Sequence, residues 1–306
     1  MDLFLLQSPL QIICAYEVIY LKKKVNKNYT FRIILFNKEN IINNKIIHNS
    51  LRFLNLQIFY CVPNSKNSLL SLINWLIIRI QLKRLRNIEN IYLGEFFPSK
   101  IVATSNLFKN AKKWIIDDGN CMLMLPDYKY KKLLFEEFNP VNYKIISYNT
   151  NLPDKINALS IYDIKMKKED KVFKNKLSFL SDKINYCKTG YIIFLGCAFI
   201  EDQVMKGEVF LKYINSSFSY LERKYGKKII YIPHRREVFK HKKNLFNKYQ
   251  IKIINSDLPI ELYISNKDLK IQMIAGFITS AFDTLNIIAG KRKLINSFFI
   301  NREDFI

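Results

Sequence analysis

Histidine is scarce in this chain. His48, His234 and His241 are the only three, too few to support a zinc site. The five cysteines (Cys14, Cys61, Cys121, Cys187, Cys197) are odd in number and contain no C-x-x-C pair. Scattered thiols of this kind suit a reducing cytoplasm. Eight glycines and eight prolines exclude a fibrous or loop-dominated chain. No apolar run reaches the roughly 20 residues that cross a bilayer. The N-terminal run carries Asp2, has no early basic residue, and is interrupted by Gln7, Pro9, Gln11 and Glu17, so it makes a poor signal peptide. The expectation is a soluble, cytoplasmic protein that can sit on the inner membrane face. Residues 69–86 bear on the second point, because they join an apolar stripe to Arg79, Lys83, Arg84 and Arg86. That pattern fits peripheral docking, and equally a helix packed on a core with a wet basic end.

Acidic residues are also few. Against 49 Lys+Arg stand 26 Asp+Glu, a net charge of +23. Such a field draws nucleic acid, anionic membranes or phosphate-bearing substrates. A surplus of Lys, Asn and Ile, as in an A+T-biased genome, offers a duller source of the same charge. Nucleic-acid binding would explain the charge directly. Yet the basic residues are spread rather than striped, and no zinc-finger spacing or ribonucleoprotein aromatic motif occurs, so no nucleic acid partner is expected. The 306 residues, 49% hydrophobic and 14% aromatic, are enough for two ordinary domains with real cores.

Taken in order, the chain alternates strands and helices. Residues 2–6 read as a strand, Ser8 as a helix cap and Pro9 as the first helical turn, with the helix running to residue 21. Strands follow at 31–36, 56–62, 91–93 and 114–116, with a helix at 99–108. The pattern weakens over 139–190, and the domain boundary is placed near residue 155. Beyond it, strands are expected at 191–195, 229–232, 251–254 and 271–277, and helices at 210–225, from about 256, and at 281–289. Strand–helix alternation in both halves predicts α/β architecture with parallel sheets: two Rossmann-like domains, 1–155 and 156–306, facing a cleft.

Polar residues collect where strands end, which is where open α/β sheets bind ligands. Asp117, Asp118 and Gly119 follow the strand at 114–116. One acid can accept a proton while the other holds geometry, and the three also fit a plain Asp-Gly turn. Gly196 ends the strand at 191–195, and Glu201 with Asp202 offers a second base or a solvated helix start. Pro233 closes the strand at 229–232 and leaves His234 at its carboxyl end. His234 can give a proton near neutral pH. Arg235 and Arg236 suit phosphate or carboxylate, or a solvated basic pair. Glu261 at a helix start can hold a ribose diol or favour the helix dipole. Thr279 and Ser280 precede a helix, where hydroxyls and free N–H groups can bind an anion, or Ser280 can simply cap.

In this order the segments LFLLQSPLQIICAYEVI (3–19), IIDDGN (115–120), IIFLG (192–196), YIPHRRE (231–237), PIE (259–261) and GFITSAFDTL (276–285) resemble the bacterial sialyltransferases of glycosyltransferase family 52. The resemblance spans nearly the whole chain and rests on the combination, since no one motif is specific. Relatives usually carry His-Pro at the histidine motif, where this chain has Arg235 after His234. The resemblance implies a GT-B-like fold and an inverting, metal-independent transfer of sialic acid from CMP-sialic acid, with no cofactor. The acceptor would be a galactoside-type, lipid-linked lipooligosaccharide or capsule glycan. It implies Asp118 as general base with Glu201 in reserve. His234, Thr279 and Ser280 would stabilise the departing phosphate, and Arg235 or Arg236 would hold a carboxylate or phosphate. Asp117, Gly119, Gly196 and Glu261 would line the substrate. A polysialyltransferase, or a transferase of another CMP-activated nonulosonic acid, fits the same motifs, and a homodimer is compatible with them.

Overall fold

The computed structural model describes residues 1–37, 40–63, 68–97, 99–131, 149–181, 183–226, 228–266, 268–277, 279–290, 292 and 294–305. The chain divides into two compact units, Met1–Leu177 and Ser178–Ile306.

The first unit holds β1 (Asp2–Leu6), α1 (Pro9–Val25), β2 (Phe31–Phe36), α2 (Ile41–Phe53), β3 (Tyr60–Val62), α3 (Ser68–Lys83), β4 (Asn90–Leu93), α4 (Lys100–Asn106), β5 (Lys112–Ile116), α5 (Leu125–Lys131), β6 (Asn157–Ser160) and β7 (Val172–Lys174). Its strands pair in the order β3-β2-β1-β4-β5-β6-β7, all parallel. β1 is buried along its whole length, as expected of a strand covered by helices on both faces. Ser8 caps α1, its Oγ accepting from the Gln11 N–H at 3.3 Å, and Pro9 fills the first turn. Lys22, Lys23 and Lys24 in the last turn of α1 oppose the negative end of its dipole. Trp75, Ile78 and Leu82 of α3 pack with Ile101 and Val102 of α4 in the core of this unit.

The second unit holds α6 (Ser178–Ser181), β8 (Asn185–Leu195), α7 (Gly207–Tyr225), β9 (Ile229–Ile232), α8 (Lys243–Lys248), β10 (Lys252–Ile253), α9 (Ile260–Tyr263), β11 (Lys270–Phe277), α10 (Ala281–Ala289) and β12 (Ile295–Phe298). Its sheet runs β10-β9-β8-β11-β12, again parallel. The core is aromatic. Phe194 meets Phe218 edge-on at 5.0 Å and stacks on Tyr231 at 5.8 Å between ring centres. Each such side chain contributes roughly 1.5–3 kcal/mol by burial.

The division falls after Leu177, later than the expected residue 155. β6 and β7 hydrogen-bond onto the first sheet, and so extend the first unit through the weakly patterned stretch. Part of that stretch, 139–148, lies outside the described residues. The strand expected at 56–62 is shorter, Tyr60–Val62, and the one expected at 191–195 starts earlier, at Asn185. Helix α2 begins inside the stretch 37–44 that reads as polar. Asn40 caps it, accepting from the Asn43 N–H at 2.9 Å.

Both sheets share one topology. The chain winds from a central strand to one edge, returns, and winds to the other. The switch points lie between β1 and β4 in the first sheet and between β8 and β11 in the second. In such sheets ligands bind outside the carboxyl ends at the switch.

Candidate functional site

At the carboxyl edge of the first sheet the two adjacent acids have different environments. Asp117 is fully buried. Its Oδ1 accepts from Ser160 Oγ at 2.6 Å, and its Oδ2 from the Ile161 N–H at 2.9 Å and Asn175 Nδ2 at 3.2 Å. This carboxylate ties the end of β5 to the end of β6 and the residues after β7. Burial pushes its acid up to about 6, against the pull of those hydrogen bonds. Asp118 is only half-buried, and Ser8 Oγ donates to its Oδ1 at 3.0 Å. Gly119 follows at φ +68° with open space on its Cβ side, a turn conformation that glycine adopts without strain. Beside it, Asn120 Oδ1 accepts from Tyr162 Oη at 2.7 Å.

The Ser8 contact was not legible beforehand, although the cap itself was. Nor was the role of Gln11, which is fully buried. Its Oε1 accepts from the Gln7 N–H at 2.7 Å and its Nε2 donates to the Gly94 carbonyl at 2.5 Å. Gln11 therefore fastens the loop after β1 to the end of β4, across the switch point.

In the second sheet, register sets the site. Leu195 lies opposite Ile232 on one side and Gly276 on the other. Gly196 is thus flanked by the His234 loop and by the segment carrying Thr279 and Ser280. With strands about 4.8 Å apart, β9 and β11 run about 10 Å apart on either side of β8. A Cβ on Gly196 would lie 2.1 Å from Glu237 Oε2, 2.7 Å from Tyr231 Oη and 3.0 Å from the His234 nitrogen. Only a bare backbone fits there.

Beneath this glycine lies a polar cluster that the sequence did not reveal. Glu237 and Lys242 form an ion pair with both side chains fully buried. Tyr231 Oη donates to the same carboxylate, and burial pushes the Tyr231 phenol well up. Cys197 beside it is pushed up to about 12, chiefly by burial. Glu237 also shapes the histidine loop. Its Oε2 accepts from the His234 N–H at 2.9 Å, and its own N–H donates to the His234 carbonyl at 2.9 Å.

The His234 ring is half-buried. Its Nδ1 accepts from the Arg236 N–H at 3.4 Å, so the neutral ring carries its proton on Nε2. Burial, then Arg236 and Arg235, hold its pKa below the usual 6.5. The ring is therefore a neutral donor near pH 7, ready to gain charge when an anion arrives.

The remaining predicted residues are placed as follows. Glu201 braces the histidine loop, its Oε1 accepting from the Val238 N–H at 2.6 Å, while its buried Oε2 has no hydrogen-bond partner among the described residues. Asp202 pairs with Arg236 at 2.7 Å. Arg235 is exposed. Glu261 is buried, and its Oε1 accepts from Thr284 Oγ1 at 2.6 Å, joining α9 to α10. Burial raises its pKa. Ser280 makes no side-chain cap bond to α10, and Thr279 Oγ1 accepts from the Ala281 N–H at 3.5 Å. The capping alternative for Ser280 is thereby removed. The Phe282 and Asp283 N–H groups of the first turn of α10 donate to the Thr279 and Ser280 carbonyls at 2.9 and 3.2 Å, so the start of this helix offers an anion its two hydroxyls rather than free N–H groups. Among the described residues, no group of three or more His, Cys, Asp or Glu side chains is arranged to hold a metal ion.

No family model matches the chain, and no curated protein matches it in sequence. Solved structures do match in fold. A UDP-N-acetylglucosamine 2-epimerase aligns over 94% of this chain and 85% of its own, with TM-score 0.52 and 10% identity. A sialyltransferase from Photobacterium damsela aligns over 99% of this chain and 76% of its own, with TM-score 0.52 and 11% identity. The GT-B domain of a Photobacterium damselae sialyltransferase aligns over 97% and 90%, with TM-score 0.49 and 10% identity. The shared property is the fold: two Rossmann-like α/β units of the GT-B class.

Proposed function

We propose that this protein is a glycosyltransferase that moves sialic acid from CMP-sialic acid to a galactoside-type acceptor, with inversion and without a metal ion. The observation that carries the reading is the carboxyl edge of the second sheet. There the Nε2–H of a neutral His234 on one side, and the Thr279 and Ser280 hydroxyls at the start of α10 on the other, follow strands that flank the one ending at Gly196, which has no side chain. That edge suits a phosphate that gains charge as it leaves. The order of motifs resembling family 52 supplies the identity of the sugar and nucleotide.

In this reading Asp118 takes the proton of the acceptor hydroxyl as that oxygen bonds to the anomeric carbon. The bond from that carbon to the CMP phosphate oxygen breaks through an oxocarbenium-like state, and CMP leaves with both bonding electrons. His234, Thr279 and Ser280 stabilise the charge on the departing phosphate. Glu261, steadied by Thr284, binds the ribose. Arg235 or Arg236 holds the sialic carboxylate. Glu201 is left as a brace of the histidine loop rather than the base. Gly119 and Asp117 shape the acceptor side. The acceptor is a surface glycan, lipid-linked and met at the cytoplasmic face of the membrane.

The test is thermal. CMP should raise the melting temperature by several degrees at saturating concentration, while UMP and magnesium should change it little. A protein stabilised by UMP or UDP and indifferent to CMP would point instead to a UDP-sugar enzyme on the same fold.

A further inference from the structure

Helix α3 is apolar on two opposite faces. Trp75, Ile78 and Leu82 enter the core. On the far side Leu70, Ile73, Leu76, Ile77 and Ile80 are 52%, 41%, 42%, 36% and 55% exposed. At 3.6 residues per turn these five fall within an arc of about 120°, where a soluble helix would carry polar side chains. Isolated exposed apolar residues are ordinary, but a continuous helical stripe of them is not. The helix is 16 residues long, and among the described residues no helix is long and apolar enough to cross a membrane.

Charge decides what covers the stripe. Residues 68–86 contain no Asp or Glu, and the helix ends toward Arg79, Lys83, Arg84 and Arg86. The last three of these are exposed. A second copy of this chain would set one molecule of net charge +23 against another. An anionic lipid surface receives both features, with acyl chains for the stripe and phosphates for the cations. We infer that the exposed face of α3 is a membrane-docking surface, which lies flat in the headgroup region of an anionic bilayer with its C-terminal cations on lipid phosphates. This inference stands apart from the proposed reaction, since it uses none of the residues of either sheet edge.

The experiment is co-sedimentation of the full chain with extruded vesicles of phosphatidylcholine, alone or with roughly one third phosphatidylglycerol. Binding should be at least ~10-fold stronger to the anionic vesicles and should fall with added salt. The variant I73S/I77S/I80S should lose binding on the order of 10-fold or more. A second variant, Leu76→Trp, keeps the face apolar. Its added indole fluorescence, relative to wild type, should be quenched by vesicles of brominated phospholipid. Three results would overturn the inference: equal binding to neutral and anionic vesicles, a triple variant that binds as wild type does, or an unquenched Trp at position 76. A wild-type dimer that the triple variant converts to a monomer, with vesicle binding unchanged, would assign the stripe to a second copy instead.

Discussion

Glu237 holds the backbone of His234: its Oε2 accepts the His234 N–H at 2.9 Å while its Oε1 is paired with the buried Lys242. The position of the candidate phosphate donor is therefore set by an ion pair beneath it rather than by the loop alone. Lys242→Met should leave the Glu237 carboxylate buried without its cation and cost about 3–5 kcal/mol. Urea denaturation measures this. Adding Glu237→Gln should recover much of the loss, because the uncompensated charge is then gone while Tyr231 keeps an acceptor. A single variant as stable as wild type would show that the pair does not hold the loop.

The two adjacent acids should behave oppositely. Asp117→Ala strands the donors on Ser160, Ile161 and Asn175, each worth about 1–3 kcal/mol when buried unpaired. It should lower the melting temperature strongly. Asp118→Ala loses only the partly exposed Ser8 contact and should change stability by less than about 1 kcal/mol. Because the folded pKa of Asp117 is raised to about 6 from 3.8, its contribution is full below about pH 4 and fades as pH rises through 6. Wild-type stability should show this fall, and Asp117→Ala should not.

His234 should titrate below 6.5 in the free protein, since burial and two arginines oppose its charge. Its contribution to stability is thus present above pH 6.5 and is lost as pH falls through the lowered folded value. Imidazole NMR follows the titration directly. Saturating CMP should move the midpoint upward, because an adjacent phosphate favours the charged ring. A midpoint unmoved by CMP would separate His234 from the nucleotide.

Gly196→Ala tests the close approach. The added methyl meets Glu237 Oε2 at 2.1 Å, so either the ion pair or the histidine loop must shift. The variant should lose at least ~1–3 kcal/mol of stability, and the CMP-induced rise in melting temperature should shrink with it.

Strand ends were legible in the sequence because buried parallel strands are short apolar runs with abrupt polar stops. Residues 114–118 and 229–234 are such runs, and both place their polar residues at a sheet edge. The exchange of partners at those edges was not legible. Nothing in the spacing of Ser8 and Asp118 says they touch, because the strand order that brings them together is a tertiary fact. Nothing in the sequence marks Lys242 as the buried one among Lys240, Lys242 and Lys243. The extension of the first unit beyond residue 155 was not legible for a related reason. β6 and β7 are four and three residues long, too short to show a period.

The account's central claim is the transfer itself, and mass spectrometry of products from CMP-sialic acid with a panel of galactosides, in the presence of a metal chelator, tests it most directly. The prediction is a sialylated galactoside made by the wild type and lost by roughly 10²–10³-fold or more in His234→Ala and in Asp118→Asn, both folded. Absence of any sialylated product from a folded wild-type protein that binds CMP would contradict it.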